Sequence, residues 1–245
     1  RYTGLPLEKF GKDIVLTNFR YYVELFAGWY QVDIIGEDKE MLNATANNIT
    51  IINFSMGSPM AATIMDLLTA INPKAVLFLG KCGGIKAYNK LGDFILPIAA
   101  IRGEGTSNDY FPPEVPALPA FNLQKTTSTS IMDMGFDYWT GTVYSTNRRV
   151  WEYDETFKNY LKQIRVMGVD METATLFSVG FFNHIPTGAL LLVSDNPMLE
   201  NGIKTIKSDK LVTEKFVNNH LQIGINSLEK LMEDNLVLKH LRFEL

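Results

Sequence analysis

The feature that most constrains this chain is a series of continuous apolar runs of strand length. Strands covered on both faces carry such runs, whereas half-exposed strands alternate apolar and polar residues. A sheet built from several of these runs therefore needs a covering layer on each side. We predict strands over Asp13–Thr17, Ile49–Phe54, Ala75–Leu79, Asp93–Ile101 and Thr187–Val193.

Segments with helical spacing lie between the apolar runs. Ser58–Ala70 opens with Ser-Pro, and proline is tolerated in a first helical turn. Asp170–Asn183 opens with aspartate, a good N-cap, and the stretch from Ser208 to about Asp234 carries a helical apolar stripe. Alternating strands and helices predict an α/β fold with a central mixed, largely parallel β-sheet flanked by helices. Because no repeat or linker interrupts the pattern, residues 1–245 are predicted to form a single domain.

Composition argues against several classes of function. The formal net charge is −4, and no segment gathers enough lysine and arginine to bind nucleic acid. No apolar run approaches the ~20 residues of a membrane-spanning helix, and the first residues do not look like a signal peptide. Cys82 is the only cysteine, which fits a cytoplasmic location. No carboxylates or histidines are clustered at ligand spacing, so we expect no metal and no other cofactor.

Two glycine-containing strand ends are candidate ligand sites, because α/β sheets bind ligands at the carboxyl ends of strands. In INFSMGSP, Ile52–Pro59, a strand meets a helix start whose backbone N–H groups can hold an anion. In VLFLGKCGGIK, Val76–Lys86, Gly80 and Gly83 allow close approach of the main chain, and Lys81 adds a cation. Taken alone, the first motif is more typical of a plain strand-to-helix turn. The second is equally typical of a tight turn with a solvated lysine.

Two further strand ends carry carboxylates. In GVDMETATLF, Gly168–Phe177, Asp170 is predicted to cap a helix, where the macrodipole favours negative charge. Glu172 is predicted to point toward a ligand, such as two vicinal sugar hydroxyls. In LLLVSDNPM, Leu190–Met198, Asp195 ends a buried strand, where desolvation raises the pKa of a carboxyl and prepares it as a general acid. A turn in which Asp195 only bonds backbone amides is an equally good interpretation.

Together, and in this order, the four motifs resemble the superfamily of nucleoside phosphorylases and nucleosidases. The resemblance covers nearly the whole chain and implies a three-layer, phosphorylase-like α/β fold. Within the superfamily the chain is similar to the family of AMP nucleosidases. The features that indicate this are the Gly-Lys-Cys-Gly-Gly segment, PPEVPALP over Pro112–Pro119, GTVYSTNRRVWE over Gly141–Glu152, and NNHLQIGINSLEKL near the C-terminus.

The resemblance implies hydrolysis of the N-glycosidic bond of AMP to adenine and ribose 5-phosphate. Asp195 matches the residue that donates a proton to purine N7, and Glu172 matches the one that binds the ribose 2′- and 3′-hydroxyls. Water is then the nucleophile at C1′. The substrate-binding residues predicted from the motifs and the resemblance together are Met171, Gly57, Ser58, Gly80, Lys81, Gly83, Arg102, Arg149, Trp151 and Asn196.

Two departures from the phosphorylase pattern favour water over phosphate as the nucleophile. Phe78 aligns with an arginine that grips inorganic phosphate in the phosphorylases. The Leu16–Phe19 segment replaces their Gly-Asp-Pro phosphate loop. Losing both anion contacts argues against phosphorolysis.

The anion that remains to be bound is the 5′-phosphate of the substrate. Arg102, Arg149 and Lys81 are the candidates, with Arg148 less favoured, and arginine offers the bidentate geometry that phosphate prefers. Each of them taken alone is also typical of a solvated surface residue. Trp151 is the candidate for stacking on the purine, and a core tryptophan is an equally good interpretation.

Other interpretations stay open. The same fold carries purine nucleoside phosphorylases, against which Phe78 argues, and methylthioadenosine nucleosidases, against which the basic candidates argue. A silent nucleotide-binding sensor has no need of a proton donor such as Asp195. The resemblance also implies a homo-oligomer, a hexamer built from dimers. Because nothing of domain size precedes the motifs, we expect no N-terminal regulatory domain of the kind found in longer bacterial members.

Overall fold

A computed structural model describes residues 1–233, so the predicted helix end near Asp234 lies outside the described residues. The centre of the fold is an eight-stranded sheet. Its strands are β1 (Asp13–Thr17), β2 (Asn43–Ala46), β3 (Ile49–Asn53), β4 (Ala75–Gly84), β5 (Phe94–Gly103), β6 (Tyr138–Thr146), β7 (Gly168–Asp170) and β8 (Thr187–Asp195).

The sheet is mixed and largely parallel, as predicted. Its strands follow the order β2-β3-β1-β4-β7-β6-β5-β8, and β8 also pairs with β4. The pairs β1–β3, β1–β4, β4–β8, β5–β6 and β6–β7 are parallel, and β2–β3, β4–β7 and β5–β8 are antiparallel. The second pairing of β8 closes the ring β4-β7-β6-β5-β8, which brings the ends of distant strands to one place.

Helices cover both faces of the sheet. They are α1 (Arg20–Tyr30), α2 (Ser58–Leu68), α3 (Phe121–Asp133), α4 (Glu155–Gln163), α5 (Thr173–Phe182) and α6 (Ile206–Glu233). One apolar core joins the sheet to α1, α3 and α6, and the other joins the opposite face to α2 and α5. Neighbouring residues of β1 divide between them, with Val15 in the first core and Ile14 in the second. The three-layer prediction is therefore confirmed.

All five predicted strands are present, but two boundaries were wrong. β4 continues through the Gly-Lys-Cys-Gly-Gly segment predicted as a loop, because Gly83 and Gly84 pair with β7 and Lys81 and Cys82 pair with β8. The helix predicted to open at Asp170 begins at Thr173 instead.

Six elements were not predicted: β2, β6, β7, α1, α3 and α4. The three strands lack a continuous apolar run, so their pairing rather than their composition defines them. Within residues 1–233, no helix combines the length and the apolar character that crossing a membrane requires.

Candidate functional site

One pocket opens at the sheet edge where the carboxyl ends of β1, β4 and β8 meet the end of β7. This is the edge at which α/β sheets bind ligands. It takes side chains from the end of each of these strands, from the segment between β6 and α4, and from the segment before α6. The lining residues are Asn18, Phe19, Met56, Lys81, Cys82, Gly83, Arg149, Trp151, Glu152, Val169, Asp170, Met171, Glu172, Ser194, Asp195 and Lys204.

Asp195 is the last residue of β8 and is 7% exposed. Its Oδ1 accepts a hydrogen bond of 2.8 Å from the Ser194 hydroxyl. Burial raises the pKa of the Asp195 carboxyl, and the negative charge of Glu152 adds to this, while Lys204 and Arg149 oppose it. The hydrogen bond described for the Asp195 carboxylate comes from a side chain and not from the backbone amides of a turn, and the general-acid role of Asp195 stays a prediction.

Glu172 lies at the start of α5 and is 2% exposed. Its Oε1 accepts the backbone N–H of Gly57 at 2.7 Å, and its Oε2 accepts that of Met171 at 3.2 Å. Gly57 has a φ of 95°, a conformation that favours glycine, and it turns its N–H toward the carboxylate. The Ser58 hydroxyl donates to the Met171 carbonyl at 2.5 Å. Gly57 and Ser58 thus hydrogen-bond to Glu172 and Met171 and do not themselves line the pocket.

The electrostatic setting of Glu172 favours its neutral form before a ligand binds. Burial raises the pKa of Glu172 to about 8, and the nearby charge of Asp170 acts in the same direction. Asp170 accepts hydrogen bonds from the Ser145 hydroxyl at 2.6 Å and from the backbone N–H of Thr173 at 2.7 Å. Asp170 therefore accepts a backbone N–H at the start of α5, as predicted for a capping residue, although it is the last residue of β7.

A cluster of charges from β4 and α6 forms another wall of the pocket. The Lys81 ammonium donates to Asp209 Oδ1 at 3.0 Å and to the Thr213 hydroxyl at 2.9 Å, and it lies 4.5 Å from the ring centre of Phe19. Lys204 reaches the same Asp209 oxygen at 2.9 Å. Two ammonium groups thus share one carboxylate, and this leaves a surplus of positive charge facing the pocket.

The segment between β6 and α4 supplies the remaining wall. The Arg149 side chain is 57% exposed and lies 3.7 Å from the Glu152 carboxylate. Trp151 is 6% exposed and packs edge-on against Phe157 of α4 at 5.6 Å between ring centres. Trp151 lines the pocket and belongs to a small core cluster, so the core interpretation is confirmed and the stacking on a purine stays a prediction.

Besides Gly57 and Ser58, three further predicted binding residues lie outside the pocket lining, which corrects their assignment. The three guanidinium nitrogens of Arg102 donate to groups of the 107–115 loop at 2.6–3.1 Å, so Arg102 organises that loop instead of facing the pocket. Gly80 makes room for the Phe78 ring, because a Cβ there would lie 2.3 Å from its Cζ. The Asn196 amide donates to the carbonyls of Lys86 and Asn89 at 2.8 and 3.1 Å.

Sequence reasoning missed Lys204 and Glu152 as pocket residues. Glu152 is the last residue of the GTVYSTNRRVWE segment, so a signal for it was present. Lys204 stands in no recognisable motif, and only the fold brings it to Asp209 and Lys81. Gly83 does line the pocket, where a Cβ would lie 3.6 Å from Asp195 Oδ2. Within residues 1–233, no three His, Cys, Asp or Glu side chains come together as a metal site would need.

Comparison with known proteins gives concordant matches. The sequence model of the phosphorylase superfamily matches residues 32–229. AMP nucleosidase of Escherichia coli K12 is 27% identical over 277 residues, which take in 94% of this chain and 57% of that protein. The chain thus spans a little over half the length of this relative.

Solved structures give the same picture. The crystal structure of AMP nucleosidase from Bacteroides thetaiotaomicron VPI-5482 is 55% identical, with a TM-score of 0.87 over 97% of this chain and 95% of that one. A uridine phosphorylase from Vibrio fischeri ES114 is 21% identical, with a TM-score of 0.80 over 94% of both chains, and shares the fold.

Proposed function

The chain belongs to the phosphorylase superfamily, and on that premise we propose that it hydrolyses the N-glycosidic bond of AMP to give adenine and ribose 5-phosphate. The observation that carries the proposal is one pocket holding a buried acid, a second buried carboxyl and three cations: Asp195, Glu172, Lys81, Lys204 and Arg149. These match the three parts of a nucleoside 5′-monophosphate, namely base, sugar and phosphate. The similarity to AMP nucleosidases from Escherichia coli and Bacteroides thetaiotaomicron supports the same substrate.

At the base, Asp195 acts as the general acid. The bond between C1′ and N9 breaks with its electrons moving into the purine, and a proton from Asp195 to N7 makes adenine a neutral leaving group. Burial shifts the pKa of Asp195 upward, in the direction that favours its protonated form. A positioned general acid contributes ~10²–10⁴-fold to the rate.

At the sugar, Glu172 accepts hydrogen bonds from the 2′- and 3′-hydroxyls. Donors to the ionised carboxyl favour its charged form, so the sugar itself helps to ionise Glu172. The resulting negative charge stabilises the cationic ribosyl centre. Water adds to C1′ from the face opposite the base and releases a proton to solvent, and Asp195 regains a proton from solvent once adenine has left.

At the phosphate, Lys81, Lys204 and Arg149 replace the set predicted from sequence, with Lys204 in place of Arg102. Lys81 and Lys204 both contact the carboxylate of Asp209. The two ammonium groups therefore already bind one anionic group, and the phosphate binds beside it. Phe78 is fully buried in the strand and offers nothing to inorganic phosphate. This supports hydrolysis rather than phosphorolysis.

The decisive experiment measures adenine release from AMP, adenosine and methylthioadenosine, each with and without inorganic phosphate. We expect release from AMP alone, with ribose 5-phosphate as the second product and no need for added phosphate. A parallel arm with a metal chelator is expected to leave the rate unchanged. Release from adenosine only in the presence of phosphate would instead make the protein a phosphorylase.

Replacing Lys204 with methionine is expected to lower kcat/KM for AMP far more than it changes kcat/KM for adenosine, on which Lys204 acts only through its charge near Asp195. A hydrogen bond to a charged group contributes ~1.5–3 kcal/mol, which corresponds to a loss of about 10–100-fold. Steady-state kinetics with both substrates provide the measurement. Lys204 is a suitable target because Asp209 keeps Lys81 as a partner when Lys204 is removed.

Lys210→Met is the matched control, since Lys210 lies on α6 with 74% of its side chain exposed and pairs only weakly with Glu214 at 3.7 Å. It should leave both substrates unaffected. Equal slowing of AMP and adenosine by Lys204→Met would show that Lys204 supports the fold of the pocket rather than the phosphate.

The protein is also proposed to form a homo-oligomer, a hexamer built from dimers. Tyr110 and Phe111 contact Phe182 and Phe181 at 5.2 and 5.5 Å between ring centres. Phe181 and Phe182 are 51% and 48% exposed, and a contiguous exposed aromatic surface is typical of an interface. Light scattering at assay concentration distinguishes this assembly from a monomer.

A further inference from the structure

The carboxylate of Glu152 has no role in the hydrolysis proposed above, yet it lines the pocket. Its side chain is 10% exposed. Oε2 accepts the backbone N–H of Trp151 at 2.9 Å, and Oε1 lies 3.7 Å from Nη1 of Arg149. The carboxylate is therefore held in one orientation by its own segment and by a cation. Each oxygen keeps a lone pair for a further donor.

Glu152 and Asp195 line the same pocket. The charge of Glu152 contributes to raising the pKa of Asp195. The pocket thus combines the proposed general acid, which donates a hydrogen bond when it is protonated, with a carboxylate that its own backbone and an arginine hold in place. Pairs of carboxyls that differ in protonation commonly divide two roles between them.

The edge of adenine that carries N7 fits this arrangement. It presents N7 as an acceptor beside the 6-amino group as a donor, whereas guanine presents N7 and O6, two acceptors. Asp195 serves N7 with its proton. The 6-amino group of a 6-aminopurine needs a hydrogen-bond acceptor, which a carboxylate provides. The oxygen of a 6-oxopurine would instead face a carboxylate oxygen with no proton between the two acceptors.

We propose that Glu152 accepts a hydrogen bond from the 6-amino group of the base and so selects 6-aminopurine over 6-oxopurine nucleotides. The proposal rests on the proposed function, because it requires Asp195 to face purine N7. Arg149 then serves two partners, the phosphate and Glu152, and its ion pair orients the Glu152 carboxylate.

The test compares Glu152→Gln with the unaltered protein on AMP and on inosine 5′-monophosphate. Glutamine keeps the shape and can turn an amide donor toward a 6-oxo group. We expect kcat/KM for AMP to fall about 10–100-fold and the preference for AMP over inosine monophosphate to fall by at least as much. Glu155→Gln is the matched control, because Glu155 begins α4 with 73% of its side chain exposed and should leave the ratio unchanged.

The ratio of kcat/KM for AMP to kcat/KM for inosine monophosphate separates selection of the base from other roles of Glu152. If Glu152 only supported the fold or the protonation of Asp195, both substrates would slow by the same factor, and that result would overturn the proposal. A second measurement uses the unaltered protein with purine riboside 5′-monophosphate, which lacks any 6-substituent. Its kcat/KM is expected about 10-fold or more below that of AMP, and parity with AMP would also overturn the proposal.

A failure of the proposed AMP hydrolysis can be distinguished from a failure of the proposed role of Glu152. Binding of free adenine and hypoxanthine, followed by calorimetry, requires no hydrolysis. Adenine should bind at least 10-fold more tightly, and Glu152→Gln should narrow the difference. Equal binding of the two bases would contradict the role of Glu152 whether or not AMP is hydrolysed.

Discussion

Asp195→Asn is expected to lower kcat for AMP by about 10²–10⁴-fold while AMP still binds with nearly unchanged affinity. The amide has the shape of the carboxyl, so its oxygen still accepts the Ser194 hydroxyl that now lies 2.8 Å away. What disappears is the acidic proton for N7, without which adenine would have to leave as an anion. The measurement combines the rate of adenine release with AMP binding by calorimetry.

Asp38→Asn is the control, because the Asp38 side chain is 78% exposed and contacts Lys39 on the surface. It should change neither rate nor binding. A variant at Asp195 that retained full turnover would remove the general acid from the mechanism. Loss of binding and turnover together would mean that Asp195 shapes the pocket instead.

Glu172→Gln is expected to lower kcat/KM by about 10²–10³-fold and to stabilise the protein at alkaline pH. The folded-state pKa of Glu172 is raised to about 8 from an ordinary value of 4.5. Its contribution to stability is therefore fully present below pH 4.5, is lost as the pH rises toward 8, and stays lost above it. Glutamine is neutral at every pH, so the variant does not lose this stability, which is on the order of a few kcal/mol.

The same substitution has a small opposing cost. One of the two backbone amides that now donate to Glu172 loses its acceptor when an oxygen becomes NH₂, which costs ~1 kcal/mol. Glu172→Gln should thus be slightly less stable than the unaltered protein near pH 4.5 and more stable near pH 9. Thermal melting across this range shows whether the difference in Tm changes sign.

Other buried carboxyls contribute to the pH dependence of both proteins. Burial raises the pKa of Asp13 to about 6, for example, and its contribution cancels in the difference between variants. Glu8→Gln, an exposed control, should melt in parallel with the unaltered protein at every pH. A constant offset for Glu172→Gln across the range would contradict the raised pKa.

The missed and mistaken elements share a cause. β6 (Tyr138–Thr146) is rich in polar and aromatic residues, and the three-residue β7 has no pattern of its own, so partners on neighbouring strands create both. Gly83 and Gly84 have loop composition, but the fold supplies β7 and β8 as partners and keeps them in a strand. Arg102 is a suitable phosphate ligand by chemistry, yet its own loop supplies nearer acceptors.

The sequence by itself determined the three-layer fold, because buried strands need continuous apolar runs that are covered on both faces. It also singled out Asp195 and Glu172 as carboxyls next to strand ends, and their roles in catalysis stay predictions. The tertiary structure alone decided which cations and which second carboxylate face the pocket. Lys81 contacts Asp209 and Thr213, which lie 128 and 132 residues later in the sequence, and Lys204, just before α6, contacts the same Asp209. Such contacts depend on how elements that are distant in sequence pack together, and the residues next to Lys81 or Lys204 in the sequence do not indicate this packing.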